Sequence, residues 1–302
     1  MIKKSTILHL RIPFSLYLLP FFCFAASQAV SLHWWYLLLS AVIIHLIFYP
    51  SANAFNSYYD KDEGSIGGLE NPPPVDREVL YVSYAFEFAS LALAFLIGWR
   101  FALMLMVINL IFKAYSHPWV RLKKYPWIGL LTVALFQGGH TYMMSYMAIN
   151  DAPFRSLLEY SVLIPSLLCT LLLLGSYPMT QIYQHEEDGK RGDQTISRML
   201  GVRGTFIWTG IIYALGIAGF TAYLASFYSG LVSLALILSL APTLIFFIQW
   251  FLRVLKDESK ADYRSTMKLN QISALGFIFF FGFLSIWRSW EGISAYFSSL
   301  LS

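Results

Sequence analysis

Charge is scarce in this sequence: Asp, Glu, Lys and Arg make up 13% of its 302 residues, about half the share of a typical soluble domain. Cysteine is scarcer still. Cys23 and Cys169 both lie in apolar runs, which excludes a disulfide-built scaffold. With 57% hydrophobic residues and a net charge of +4, the composition also excludes a disordered chain and a nucleic-acid-binding protein.

Long apolar runs dominate what is present. A bilayer core about 30 Å thick needs roughly 20 residues of helix. Runs near that length cover 13–31, 33–55, 79–98, 101–117, 127–149, 157–177, 204–226, 229–252 and 271–290. Because lipid offers the backbone no hydrogen-bond partner, each run is expected to be helical. The sequence therefore predicts an all-α polytopic membrane protein, a bundle of nine transmembrane helices forming a single domain over residues 1–302.

Basic residues are distributed unevenly between the predicted loops. With the N-terminus inside, 17 Lys and Arg residues fall on the inner side, and only Arg100, Arg155 and Arg288 fall outside. This bias is typical of cytoplasmic loops. It predicts an integral protein of the inner or plasma membrane whose N-terminus and long polar loops are cytoplasmic. The first run also has features of a signal peptide, but no clean cleavage site closes it, so we expect a retained helix.

Two acidic turns lie at the inner ends of the second and sixth runs, 128 residues apart. Asn56 and Asp60 are spaced i, i+4 and share one helix face, and Gln184 and Asp188 repeat that spacing. Other acids within a turn of these pairs are Asp62, Glu63, Glu186 and Glu187. Solvated charge is the ordinary explanation of one such cluster. Two clusters with matched spacing instead predict facing oxygen ligands for Mg²⁺, which prefers a few carboxylates together with substrate phosphates.

A basic loop between the fourth and fifth runs reads Tyr115-Ser-His-Pro-Trp-Val-Arg121-Leu-Lys123-Lys124. Cations beside two acidic turns suit a diphosphate leaving group, because they stabilise the charge that develops on it. Lys190 and Arg198 are further candidates for this role. Simple enrichment of positive charge on the inner side would explain the same residues, so this motif alone does not decide between the two.

Together these motifs resemble those of the UbiA superfamily of intramembrane prenyltransferases, and the resemblance covers nearly the whole chain. The family pattern N-x-x-x-D-x-x-x-D matches at Asn56 and Asp60, but its last position falls on Gly64, so Asp62 or Glu63 would supply the third carboxylate. In the second pattern, D-x-x-x-D, Asp188 fits and the leading position is Gln184.

The resemblance implies Mg²⁺-dependent transfer of a prenyl group, an alkyl or aryl group other than methyl, from a polyprenyl diphosphate to an apolar or aromatic acceptor in the bilayer. It assigns catalytic roles to Asp60, Asp188, Lys123 and Tyr115. The residues implied to bind diphosphate are Asn56, Arg121, Lys123, Lys190 and Arg198. Those implied to bind metal are Asn56, Asp60, Asp62, Glu63, Gln184, Glu187 and Asp188.

Polar residues also occur at membrane depth, where ionisable groups are costly. Glu87 and His140 are candidates to bind or deprotonate an acceptor, and hydrogen bonds between helices would explain them equally well. Gly138 and Gly139 precede His140 and would allow a ligand or a helix to approach closely.

Two other functions remain open. A polytopic transporter of a small or lipidic substrate would also place charges in the membrane, although here the acids cluster at one face. A membrane assembly protein with a decayed active site is the other alternative, because Gln184 replaces an expected carboxylate. The identity of the acceptor and the length of the prenyl chain leave no mark in the sequence.

Overall fold

The computed structural model describes the backbone of residues 2–30 and 32–301 and the side chains up to Arg288. Within those residues the regular secondary structure is helical, apart from an isolated bridge between Ile66 and Leu69. The helices are α1 (Lys4–Ser27), α2 (Trp34–Asp60), α3 (Arg77–Ala94), α4 (Trp99–Ser116), α5 (126–150), α6 (Tyr160–Gln181), α7 (Ile196–Phe227), α8 (Gly230–Lys256) and α9 (Tyr263–Leu301). A short helix, His185–Lys190, lies between α6 and α7.

Seven helices in the described part of the chain are long and apolar enough to cross a membrane: α1, α2, α4, α6, α7, α8 and the 263–288 portion of α9. The all-α membrane fold is therefore confirmed. The number of nine spans is not, because α3 and α5 are not among the seven. These two helices do coincide with the predicted runs 79–98 and 127–149. They are more polar because α3 contains Glu87, and α5 contains Gln137 and His140.

Two helices near the first acidic turn are irregular. Arg11 adopts a left-handed backbone conformation (φ 47°) and separates the segment Lys4–His9 from the rest of α1. In α2 a π-helical segment, Val42–Phe48, comes just before Pro50. Proline lacks the N–H that would continue the hydrogen-bond ladder, and π-bulges commonly absorb such a break. The segment of α2 beyond Pro50 carries Asn56 and Asp60.

The Gly138-Gly139 pair lies in a π-helical segment of α5, Ala134–His140. A Cβ atom on Gly138 would lie 2.7 Å from the carbonyl oxygen of Cys169, and one on Gly139 would lie 2.5 Å from Oγ1 of Thr170. The glycines therefore allow a close approach of α6, so a neighbouring helix, rather than a ligand, accounts for them.

Aromatic side chains fill the interior between α1, α5, α7 and α9. Phe24 is fully buried, and its ring centroid lies 4.5 Å from that of Phe281 and 5.2 Å from that of Phe220. α1 is thus part of the core. The outer surface is apolar as well: Leu231, Leu238 and Leu244 of α8 are each more than half exposed, as expected of a surface that faces lipid tails.

Candidate functional site

A cavity of about 270 Å³ lies where α2, α4 and α6 end. Its polar end is lined by Asn56, Asp60, Asp62, Lys123, Gln184, Asp188, Arg191 and Asp193. Its apolar part is lined by residues from α4, α5, α6 and α9, among them Phe112, Val133, Leu172, Leu173 and Phe277. The two acidic turns, 128 residues apart in sequence, therefore share one cavity, which has a charged end and an apolar end.

The first acidic turn is organised around Asp60. The helical i, i+4 spacing lets Nδ2 of Asn56 donate a hydrogen bond to Oδ2 of Asp60 (2.8 Å), and the same amide also donates to Oγ of Ser116 on α4 (3.0 Å). Lys123 forms an ion pair with Oδ1 of Asp60. Only 5% of the Asp60 side chain is exposed, so this carboxylate depends on its partners for compensation of its charge.

The second acidic turn is built differently. The hydrogen-bond partners of Asp188 lie in its own segment of the chain. Oγ1 of Thr195 donates to Oδ2 of Asp188 at 3.2 Å, and Nη2 of Arg191 donates to Oδ1 of Asp188 at 3.2 Å. Gln184 accepts a hydrogen bond from the backbone N–H of Asp188 (2.8 Å), but its side chain is directed elsewhere. Its Nε2 donates to the carbonyl oxygen of Ser65 (3.0 Å), so its amide holds the loop that follows the first turn.

Arg191 connects the two turns, and the sequence reasoning did not assign it to the site. Its guanidinium forms ion pairs with Asp62 of the first turn and with Asp188 of the second, and its Nη1 donates to the backbone oxygen of Asp60 (3.4 Å). Its Nε lies 3.9 Å from Oδ2 of Asp193. A cation within an acidic turn was the available signal, but only the fold shows that it reaches across.

Asp193 was also missed. Nε and Nη2 of Arg121 each donate a hydrogen bond of 2.9 Å to the carboxylate of Asp193. This hydrogen-bonded pair raises the pKa of Arg121. Arg198 donates to the backbone oxygen of Asp193. Arg121 and Arg198, which we expected to bind diphosphate, are therefore engaged with Asp193, and neither lines the cavity.

Burial raises the pKa of two carboxyl groups at the polar end. For Asp188 it reaches about 6, with burial as the main cause and Arg191 and Lys123 opposing the rise. For Asp62 burial is again the main cause, followed by the neighbouring charge of Asp60. Desolvation disfavours the charged form of an acid, so an additional cation would stabilise both carboxylates.

Three other predicted residues lie outside the cavity. Oε1 of Glu187 accepts a hydrogen bond from the backbone N–H of Glu63 (3.2 Å), which joins the two turns at their exposed edge. Lys190 pairs with Glu186 at 2.9 Å, and both side chains are largely exposed. Among the described residues, no group of three or more His, Cys, Asp or Glu side chains is arranged to hold a metal ion by itself.

The two acceptor candidates also lie away from the cavity. Nε2 of His140 is 2.9 Å from the backbone oxygen of Met104 on α4. Glu87 of α3 pairs with Nζ of Lys113 on α4 at 2.6 Å. Both side chains thus connect neighbouring helices, and this arrangement favours the explanation of hydrogen bonds between helices over a role in acceptor binding.

Tyr115 does line the cavity, and its hydroxyl contacts that of Tyr177 on α6. Nε2 of Gln181 donates to the same Tyr177 hydroxyl at 2.8 Å. Tyr58 and Tyr59, the aromatic residues closest to Asp60 in sequence, do not line it. Tyr115 of α4 and Tyr177 of α6 therefore contribute aromatic faces to the cavity.

Arg11 was counted only as an inner basic residue, yet its buried side chain lines the cavity. Its guanidinium donates to the backbone oxygens of Asn53 (2.9 Å) and Gly67 (3.3 Å) and to Oδ1 of Asn56 (3.4 Å). These acceptors are neutral, and within the described residues Arg11 has no salt bridge to a carboxylate. The cavity thus contains a buried positive charge that an anionic ligand would complement.

Comparison with known proteins assigns this architecture to a family. The sequence model of the UbiA prenyltransferase family matches residues 17–272. No curated protein sequence matches the chain. Among solved structures, a UbiA homolog from Archaeoglobus fulgidus bound to DMAPP and Mg²⁺ superposes with a TM-score of 0.69 at 20% identity, covering 94% of this chain and 99% of that chain.

Two further structures agree with that match. The same archaeal homolog bound to GPP and Mg²⁺ gives a TM-score of 0.69 at 21% identity and covers 93% of this chain and 99% of that chain. An apo UbiA homolog from Aeropyrum pernix K1 gives 0.68 at 19% identity, with 92% and 98% covered. At these identities the structural likeness establishes the fold, while the sequence model establishes the family.

Proposed function

The chain belongs to the UbiA prenyltransferase family, and from this premise we propose that it transfers a prenyl group from a polyprenyl diphosphate to an apolar or aromatic acceptor within the membrane. One observation carries the proposal: Asp60, Asp188 and Lys123 line the polar end of a cavity whose other end presents apolar and aromatic side chains. A prenyl diphosphate has the same division between a charged head and an apolar tail.

The polar end fits Mg²⁺ by the chemistry of its donors. The side chains there that can coordinate a metal offer oxygen ligands of the kind that hard cations prefer, namely the carboxylates of Asp60, Asp62, Asp188 and Asp193 and the amide oxygens of Asn56 and Gln184. Bound Mg²⁺ would offset the negative charge of the diphosphate.

The protein's own cations would act on the leaving group. Lys123 is placed to turn from Asp60 toward a phosphate oxygen, since its flexible stem carries a point charge with three donors. There it would stabilise the charge that grows as the bond between C1 and the bridging oxygen breaks. Arg121 would act indirectly, because it holds Asp193 at the edge of the same cavity.

The allylic cation left by this step needs protection from water and a stabilising surface. The rings of Tyr115 and Tyr177 line the cavity beside its polar end, and a cation over an aromatic face gains roughly 0.5–2 kcal/mol. Leu172, Leu173 and Phe277 line the apolar part. Exclusion of water from these walls would prevent hydrolysis of the cation.

The environment of Arg11 favours a prenyl acceptor that carries an acidic group. Its buried guanidinium has neutral acceptors around it, so the negative charge of an anion in the cavity would balance the positive charge of Arg11. An aromatic acid meets this requirement and also presents a ring to the cation.

The orientation follows from charge. The loops next to the polar end of the cavity hold most of the basic residues, so we propose that the N-terminus and this end of the cavity face the cytoplasm across the inner or plasma membrane.

The test is product analysis. Membranes containing the protein are incubated with Mg²⁺, geranyl, farnesyl or longer diphosphates and a panel of aromatic acids and neutral acceptors, and products are identified by mass spectrometry. The proposal expects a prenylated acceptor whose formation falls sharply with Asp60→Asn and when EDTA removes the metal. Undiminished consumption of the prenyl diphosphate by the Asp60→Asn variant would instead favour a transporter. Transport of an unmodified substrate across vesicle membranes would favour it as well.

A further inference from the structure

The acidic turns of this chain depart from the family patterns at two positions, and neither position carries a carboxylate. The last acidic position of the first pattern is Gly64, and the leading acidic position of the second is Gln184. Glu187 reaches toward Gly64: a Cβ atom there would lie 3.3 Å from Oε2 of Glu187. That carboxylate, however, accepts from the backbone of Glu63 and lies outside the cavity.

A positive charge lies between the two turns. The side chain of Arg191 is 19% exposed, and its three nitrogens all face acidic residues: Asp62 and Asp188 by direct ion pairs, and Asp193 at 3.9 Å. Carboxylates from both turns thus converge on one guanidinium, which is the arrangement expected around a bridging cation. The guanidinium keeps its charge at any working pH and presents donors in a fixed fork.

The other cation of the polar end is held differently. Lys123 pairs with the single carboxylate of Asp60, and its ammonium can rotate away without separating the two turns. Arg191, by contrast, is fixed by partners on both sides of the cavity. Removal of the Lys123 charge would therefore leave one carboxylate, that of Asp60, without its partner. Removal of the Arg191 charge would break the link between the two turns.

We infer that Arg191 takes the place of a divalent cation between Asp62 and Asp188, so that this protein binds a prenyl diphosphate with a single divalent ion. The inference rests on the proposed function, since it concerns how the same cavity holds a diphosphate. Asn56 and Asp60, which Arg191 does not engage through their side chains, are the residues left to hold that ion. The guanidinium of Arg191 already offsets negative charge between the two turns, so this site needs less added metal.

The test counts bound metal and does not depend on turnover. Full-length protein purified in detergent is saturated with geranyl S-thiolodiphosphate, a non-transferring analogue, and titrated with Mn²⁺. Bound Mn²⁺ per protein is read from the electron paramagnetic resonance signal of free Mn²⁺, with a protein-free titration subtracted. The inference expects one ion per protein in the wild type and two in the neutral variants Arg191→Gln and Arg191→Met.

Two charge controls accompany these variants. Arg191→Lys keeps a cation at the junction and is expected to bind one ion. Arg203→Gln removes an arginine charge from an exposed pair with Glu258, far from the cavity lining, and is also expected to bind one ion. Because two neutral variants are prepared, bound Mn²⁺ can be counted even if one of them does not fold.

Two ions in the wild type would overturn the inference. One ion in a folded neutral variant that still binds the analogue would overturn it as well, because Arg191 would then be a structural link only. Failure of the wild type to bind the analogue at any Mn²⁺ concentration would be a different result, since it would contradict the proposed function itself.

Discussion

The two acidic turns have the same i, i+4 spacing in sequence and different construction in the fold. In the first, Asn56 and Asp60 lie on a continuous helix and bond to each other, and the compensating cation, Lys123, comes from another loop. In the second, Gln184 precedes the short helix His185–Lys190 and turns away from Asp188 toward Ser65, and the cation, Arg191, belongs to the turn itself.

The difference indicates that the two turns have different roles. Asp60 has a partner that can leave, so its carboxylate is available to a metal ion. Asp188 has partners built into its own segment, Arg191 and Thr195, so it holds the two turns together. On this account substitutions in the first turn should affect chemistry most, and substitutions in the second turn should affect it less.

The largest expected effect is that of Asp60→Asn. It keeps the shape of the side chain but removes the carboxylate from Lys123 and from the metal, and we expect transfer activity to fall by about 10²–10³-fold, as loss of a preorganised electrostatic group typically does. The rate of Mg²⁺-dependent product formation from a radiolabelled prenyl diphosphate measures it. Asp257→Asn, at an exposed helix cap, is the control, and similar losses in both variants would remove the special role of Asp60.

Asp188→Asn should lose less, about 10–10²-fold by the same electrostatic argument. Arg191 keeps Asp62 as a partner in this variant, so the junction is weakened and not lost. The same assay ranks the two variants directly. A loss equal to or greater than that of Asp60→Asn would reverse the proposed division between the turns.

Lys123→Met is expected to lower kcat/KM for the prenyl diphosphate about tenfold, the loss of roughly 1.4 kcal/mol that a charge-assisted hydrogen bond commonly contributes. The neighbouring Lys124 is exposed, so Lys124→Met serves as the matched control and should leave kcat/KM unchanged. Equal effects of both variants would show that only the net charge of the loop matters.

The smallest effect is expected from Gln184→Glu. It keeps the length of the side chain but cannot donate to the Ser65 carbonyl, and the loss of one hydrogen bond corresponds to about fivefold weaker diphosphate binding. Calorimetric titration with the thiolodiphosphate analogue measures this. Tighter Mg²⁺-dependent binding would identify Gln184 as a weakened metal ligand and would make the two turns alike.

The sequence predicted the fold and the shared location of the turns because both follow from strong local signals. Apolar runs must be helical in lipid, and the spacing of Asn56 and Asp60 places them on one helix face. What the sequence could not predict were the partners. Arg11 and Arg191 appeared as ordinary inner-side cations, because positive charge is expected in those loops whatever its role.

Residues with conspicuous chemistry presented the opposite difficulty. Glu87 and His140 drew attention as ionisable groups at membrane depth, yet Lys113 and the Met104 backbone account for them. Arg121 and Arg198 lie in the right loops but contact Asp193. Such pairings join residues far apart in the chain or on facing helices, and only the packing of helices decides them.

The most direct test of the account is a structure of the protein with geranyl S-thiolodiphosphate and Mn²⁺, whose anomalous scattering locates the metal. The account predicts the diphosphate at the polar end of the cavity, with metal between it and Asp60 and with the Asp188 turn on its other side. A diphosphate bound elsewhere, or metal that touches neither turn, would contradict it.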